Sequence, residues 1–218
     1  MRTSTELINH ADPAWPLLRS WIHEATNHVE ILPARDPDCA EALAATQVST
    51  QSTMGALVYE TGGLLIDHGW VRILGSGHPR LPRSLPAWNA GRTVMEPEQP
   101  PPFLLVADDA IGGFFAINAG GLGMALRNVC YFPPDRLAWE DLGRGYSAFI
   151  HWIFSANLDA FYEGSRWPGW VNDVRALDGD KAYSIYPPLF AQGPPVGERS
   201  RKAVPIAELY GLYLGEEA

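Results

Sequence analysis

A few small groups of residues in this chain have types and spacings that could do chemistry. Asp67 and His68 are adjacent in "GGLLIDHGWVRILGSGH", between two glycine-rich turns. An acid beside an imidazole suggests general acid–base catalysis, which needs a cleft and a carboxylate placed to orient the ring. Adjacent residues of a strand point to opposite faces, so in an extended segment Asp67 would share the face of Leu65 and His68 would take the other. A turn at Gly69 would alter this. The pair reads as strand-end or turn-forming residues rather than a catalytic dyad.

Asp108 and Asp109, in "VADDAIGG", could ligate a hard cation. A calcium loop needs oxygen ligands at alternating positions, whereas here the chain turns straight into "AIGGFF". A hairpin turn with an acidic tip is expected. "GSGHPR" offers glycines, a serine and a basic residue, yet matches neither GxxxxGK[ST] nor GxGxxG. Pro79 and Pro82 follow it in place of a helix whose N-terminus would hold an anion. Arg72, His78, Arg80 and Arg83 could gather into a small basic patch, though a solvated loop with ordinary arginines is the favoured reading.

The six histidines never fall at HxxH, HExxH or HxH spacing. Ser147, Ser155 and Ser165 lack a GxSxG context. The two cysteines, Cys39 and Cys130, form no CxxC, and Cys130 in "NVCYF" reads as a small hydrophobe. No catalytic residue, metal ligand or cofactor site is assigned on these grounds. Aromatic residues are the remaining signal. Trp139, Trp152, Trp167 and Trp170 cluster late in the chain, and Trp and Tyr serve both cores and binding hot spots. The loop "SRWPGW" makes Trp167 and Trp170, with the acidic pair Asp108 and Asp109, the candidate partner-binding residues.

Composition narrows the function classes. The formal charge of −9 over 218 residues argues against generic nucleic-acid binding and favours a cationic partner. No apolar run follows the basic residue of the opening segment, and no window approaches the roughly 18 apolar residues of a membrane span. A cytoplasmic protein is expected, with a basic protein as its partner.

Which elements must position these groups? "PAWPLLRSWIHEA", "CAEALAATQ" and "STMGALVYE" carry helical spacing, the first opened by Asp12-Pro13, and "HVEILP" is extended between the first two. At Gly62 the pattern turns strand-like, as two short strands or one bulged strand. Phe103–Ala107, Gly113–Asn118 and Asn128–Phe132 are the next strands, joined as antiparallel hairpins. "WEDLG" leads into a helix over "SAFIHWIFSANLDAFYEG", then "WVNDVRAL" is a second helix. "AYSIYPPLF" is a late strand, Gln192 to Pro205 a surface segment, and "IAELYGLYL" a returning edge strand or a last helix. The order gives an α+β fold, a mainly antiparallel sheet covered by helices, in one domain over 1–218. That domain divides into an N-terminal helical part (1–52), a core (53–190) and a C-terminal tail (191–218).

Four blocks in order, "YETGGLLIDHGWVRILGSG", "DDAIGGFFAINAGGLG", "YFPPDRLAWEDLGRGYSAFIHWI" and "FYEGSRWPGW", resemble the bacterial domain-of-unknown-function family numbered 2625. The resemblance runs from about Thr53 to about Phe190 and implies no activity. In layout the chain is more distantly similar to the SUKH (Smi1/Knr4-like) superfamily, which includes bacterial immunity proteins that block toxins. That likeness implies a non-catalytic binding fold. Two functions are therefore carried forward. One is a non-catalytic protein-binding module, in an immunity version meeting a toxin. The other is a small enzyme using Asp67, His68 and the acidic pair Asp108 and Asp109.

Overall fold

The computed structural model describes residues 1–96 and 99–215. The chain opens with α1 (Ser4–Leu7) and α2 (Trp15–His23), then β1 (Val29–Pro33), α3 (Asp38–Thr46) and α4 (Thr53–Glu60). Helix α4 starts where the Ser52 hydroxyl accepts the Gly55 N–H at 3.0 Å, satisfying a donor left free by the first turn. It runs directly into β2 (Thr61–Ile66), which a tight turn joins to β3 (Val71–Leu74). The short α5 (Leu85–Asn89) precedes β4 (Phe103–Asp109), β5 (Phe114–Asn118), β6 (Asn128–Phe132) and β7 (Glu140–Gly145). Then come α6 (Tyr146–Ile153), α7 (Leu158–Phe161), α8 (Trp170–Ala176), β8 (Lys181–Tyr186), β9 (Ser200–Pro205) and α9 (Ile206–Leu214).

Strands β1 to β7 form one antiparallel sheet whose spatial order is the chain order, while β8 and β9 pair as a separate two-stranded sheet. Every residue of β2 and β3 is buried, so this part of the sheet is covered on both faces, and its side chains are apolar except for Thr61 and Arg72. Helix α4 packs on β2, α5 on β4, α6 on β6 and β7, and α9 on β8 and β9. One cluster of buried apolar side chains runs from Leu18 to Tyr210. Its large members, among them Trp70, Phe114, Phe115 and Phe149, each contribute about 1.5–3 kcal/mol by leaving water.

The mixed α+β architecture agrees with the sequence reading, and the differences are local. "WEDLG" enters β7, which pairs with β6. The long late helix is two, α6 and α7, because Asn157 caps a new turn by accepting the Ala160 N–H at 3.1 Å. The tail contains β9, which pairs with β8 along its length. Ala14, not Asp12, stands at the start of α2. The acidic pair is not a hairpin tip: Asp108 and Asp109 are the last residues of β4, fully buried, and the turn follows them.

Two glycines hold the sheet ends. Gly63 sits at φ +144°, and an added Cβ would lie 2.6 Å from Leu81 Cδ2 and 2.8 Å from the Ile73 carbonyl. Gly121 is required for a different reason from the positive φ expected at such doubled glycines. Its Cβ would meet Pro102 Cβ at 2.4 Å, while the positive φ belongs to Gly120.

Candidate functional site

The β2–β3 connection turns on three successive residues with positive φ: Asp67 at 50°, His68 at 63° and Gly69 at 95°. Left-handed residues suit the twist of a tight hairpin, but glycine would take them without cost. A side chain in this region costs on the order of 1–2 kcal/mol, so the surroundings must hold it. They do. The Asp67 N–H donates to the His28 carbonyl at 2.7 Å, and the Trp70 N–H donates to the Asp67 carbonyl at 3.1 Å.

The two side chains of the turn are held apart by different arginines. Arg166, from the α7–α8 loop, donates to the Asp67 carboxylate at 2.5 Å and to Asp159 at 2.6 Å. Its guanidinium lies among aromatic rings, 4.2 Å from the centroid of Trp170, 4.8 Å from Trp70 and 5.3 Å from Tyr162. His68 meets Arg175 of α8 instead, with Nδ1 2.8 Å from the guanidinium. Arginine has no acceptor, so Nδ1 accepts and the neutral ring carries its proton on Nε2. The His28 ring stacks on His68 at 4.6 Å, and Trp170 lies tilted at 6.2 Å. Burial first, then the Arg175 and His28 charges, hold the His68 imidazolium below its ordinary range.

His68 opens on a cleft of about 440 Å³ whose lining includes Gly69, Arg72, Arg80, Arg175, Asp178 and Asp180. Arg72 and Arg80 are already engaged: Arg80 pairs with Glu30, and Arg72 with Asp108. The four basic residues of the sequence reading are thus mostly neutralised, three of them by carboxylates from other elements.

Beneath the cleft lies a second polar cluster. Arg72 faces Asp108 across the β3–β4 ladder, with Nε 2.6 Å from Oδ1, and Arg83 reaches Oδ2 at 2.5 Å. Asp109 accepts the backbone N–H of Ile111 at 3.0 Å and of Gly113 at 2.8 Å, and the hydroxyls of Tyr131 at 2.7 Å and Tyr162 at 3.2 Å. Burial raises the Asp109 carboxyl above the usual carboxylate range despite these four donors. Burial and the Asp109 charge lift both tyrosines well above theirs. Asp109 holds four hydrogen bonds and Asp108 two ion pairs, and both are sealed from solvent, so neither reaches a partner or substrate directly.

Of the two tryptophans in "SRWPGW", Trp167 is 2% exposed and belongs to the core. Its indole N–H donates to Asp173 at 2.6 Å, its ring packs on Trp70 and Tyr183, and Arg201 lies over it at 4.6 Å. Trp170 is half-buried and edges onto Trp70 at 5.1 Å. The loop presents one tryptophan, not two. No hydrogen bond or ion pair joins Asp67 or His68 to Asp108 or Asp109 among the described residues. Nor does any group of three His, Cys, Asp or Glu side chains among them fit a metal ion. Both cysteines are buried, and burial first of all pushes their thiols to about 11. Sequence reasoning missed Arg166 and Arg175; lone arginines carry no spacing signal, and contacts with Asp67 and His68 come from 99 and 107 residues away.

The profile of the family described as "Protein of unknown function DUF2625" matches residues 4–209. The chain belongs to this family. The match takes in the N-terminal helices, well beyond the Thr53–Phe190 span of the quoted blocks. An uncharacterized protein named YbfG from Escherichia coli K12 is 45% identical over 217 residues, covering 97% of this chain and 95% of its own. An uncharacterized protein of Haemophilus influenzae Rd is 38% identical over 218 residues, covering all of this chain and 96% of its own. No solved structure matches the chain. Among the described residues, no helix is long and apolar enough to cross a membrane.

Proposed function

We propose that this chain is a non-catalytic binding module of the cytoplasm that meets a basic protein through the face around Trp170. One observation carries the reading: the residues best suited to chemistry, Asp67 and His68, are each committed to a separate arginine in a strained turn. A general base needs a free lone pair within reach of substrate, and His68 spends its lone pair on Arg175. What such a turn offers is a rigid shape, and rigid aromatic surfaces make good anchors for a partner.

Trp170 is the anchor in this reading. Asp159, 88% exposed at its side chain, and the exposed Glu163 and Asp173 supply the acidic surround on the neighbouring helices. Trp167, Asp108 and Asp109 act from beneath, by fixing the platform. An immunity-type role with a toxin as partner, as in the SUKH group, is the specific version of this reading, and the α+β layout and net acidity support it. A quantitative test follows from the geometry. A partner recovered from cells of the source should bind the purified chain with an association rate that falls steeply with salt. Trp170→Ala should raise its dissociation rate at least tenfold without altering the fold. Salt-insensitive association, or equal dissociation from both proteins, would discard the proposal.

A further inference from the structure

We infer that the cleft beside His68 binds a small oxyanion, a carboxylate or phosphate group, held by Arg175 and the Nε2–H of His68. This goes beyond the partner reading and does not depend on Trp170. Three arginines line the cleft. Arg72 is sealed against Asp108, and Arg80 is paired with Glu30. Arg175 alone among the three has no carboxylate within ion-pair distance among the described residues. In a chain with nine more acidic than basic residues, its side chain meets a neutral imidazole instead.

That contact uses one guanidinium N–H and leaves the others of this exposed side chain open to a ligand. It also fixes the histidine tautomer, so that a second donor, Nε2–H, belongs to the same cleft. Three features keep the ring in place: the left-handed backbone of His68, the stacked His28 and the Arg175 bond itself. Preorganised donors of this kind bind an anion without having to order themselves first. Carboxylates also line the cleft. Asp178 is neutralised by Lys181 at 2.6 Å, whereas Asp180 forms no ion pair among the described residues. Asp180 should therefore oppose a multiply charged ligand more than a singly charged one.

The experiment is an NMR titration of the full-length protein with inorganic phosphate and, separately, with acetate. Saturable shifts confined to His68, Gly69, Arg175, Ala176 and Gly179 are expected. Arg175→Gln should weaken binding at least tenfold, and Asp180→Asn should tighten it, more for phosphate than for acetate. Stronger saturation by phosphate or by acetate decides which oxyanion the cleft takes. A second variant, His68→Asn, keeps a side chain that tolerates left-handed backbone and should also weaken binding. Spectra that stay native elsewhere establish that each variant is folded. Shifts that rise linearly with both anions, or saturable shifts that both variants leave unchanged, would overturn the inference.

Discussion

The molecule contains two clusters made from the same parts, carboxylates, arginines and aromatic rings, yet they differ in every physical respect that bears on function. Around Asp108 and Asp109 the groups are buried, each carboxylate is paired or hydrogen-bonded, and regular strand geometry holds them. Around Asp67 and His68 the groups are half-exposed, the backbone is left-handed, and one arginine is left without a carboxylate. The first cluster gains nothing by being reached and would lose stability if opened. The second carries a local cost that its own contacts only partly explain. Burial with paired charges marks a structural centre; strain at the mouth of a cleft is what the proposed binding role would use.

The largest effect should come from Asp108→Ala. It would leave the nearly sealed Arg72 and the mostly buried Arg83 without a counter-charge, costing about 3–5 kcal/mol by chemical denaturation. A loss below about 1 kcal/mol would mean the two guanidiniums find water, and would erase the contrast between the clusters.

Asp109→Asn comes next, at about 1–3 kcal/mol, since one carboxylate oxygen accepts the two backbone N–H groups and the other the two tyrosine hydroxyls, and an amide NH2 in either place can accept neither pair. Its pH dependence gives a second readout. The folded-state pKa of Asp109 is raised, so the folded protein binds its proton more readily than the unfolded chain. The stability that Asp109 adds is then fully present below the unfolded carboxylate pKa of about 4 and is lost as pH rises through the higher folded value. Denaturation of wild type and variant across the acidic to neutral range should show their difference shrinking as pH rises. A difference that grows with pH would show an ionised, charge-stabilised Asp109.

Gly63→Val should cost more than about 1 kcal/mol, because a Cβ there collides with the Ile73 carbonyl as well as Leu81. An unchanged melting temperature would show that β2 and β3 can separate without cost. The smallest effect belongs to the exposed cluster. In His68→Gly the relief of left-handed strain offsets the lost Arg175 contact, and stability should stay within about 1 kcal/mol of wild type. A larger loss would move His68 into the structural class.

Much of the fold was legible because burial repeats regularly along the chain: the strands from β2 to β6 and the helices α2, α3, α4 and α8 follow from their apolar spacing. Strand β7 was not, because "EDLGRG" is polar and glycine-rich, and the Asn128–Gly145, Cys130–Asp141 and Tyr131–Glu140 pairings are what make it a strand. Strand β9 escaped for the same reason, since "SRKAVP" lies on a two-stranded surface ladder. At the site, Asp67 and His68 stood out by adjacency, and the argument that neither orients the other agrees with their separate arginines. Asp108 and Asp109 were visible as residues but misplaced as a tip, because the turn signal "AIGG" follows them directly. Their burial depends on Arg72, Arg83, Tyr131 and Tyr162, which no local pattern connects to them. The exposure of Trp170 against Trp167 is likewise a property of packing: Asp173 and Tyr183 cover one indole and leave the other.

The chain-order sheet has a consequence for how the protein is made. Every ladder from β1 to β7 joins strands consecutive in sequence, so the sheet can grow strand by strand as the chain emerges during synthesis. The turn at Asp67–Gly69 forms early in that order, but Arg166 and Arg175 are synthesised about a hundred residues later. A nascent chain would thus carry the hairpin before its clamps, and the proposed recognition face would be completed only when α8 docks. Pulse-labelled hydrogen exchange during refolding should protect the amides of β2 to β5 before those of Asp67 to Gly69. The reverse order would mean that α8 guides the hairpin, and that the face is assembled first and the sheet around it.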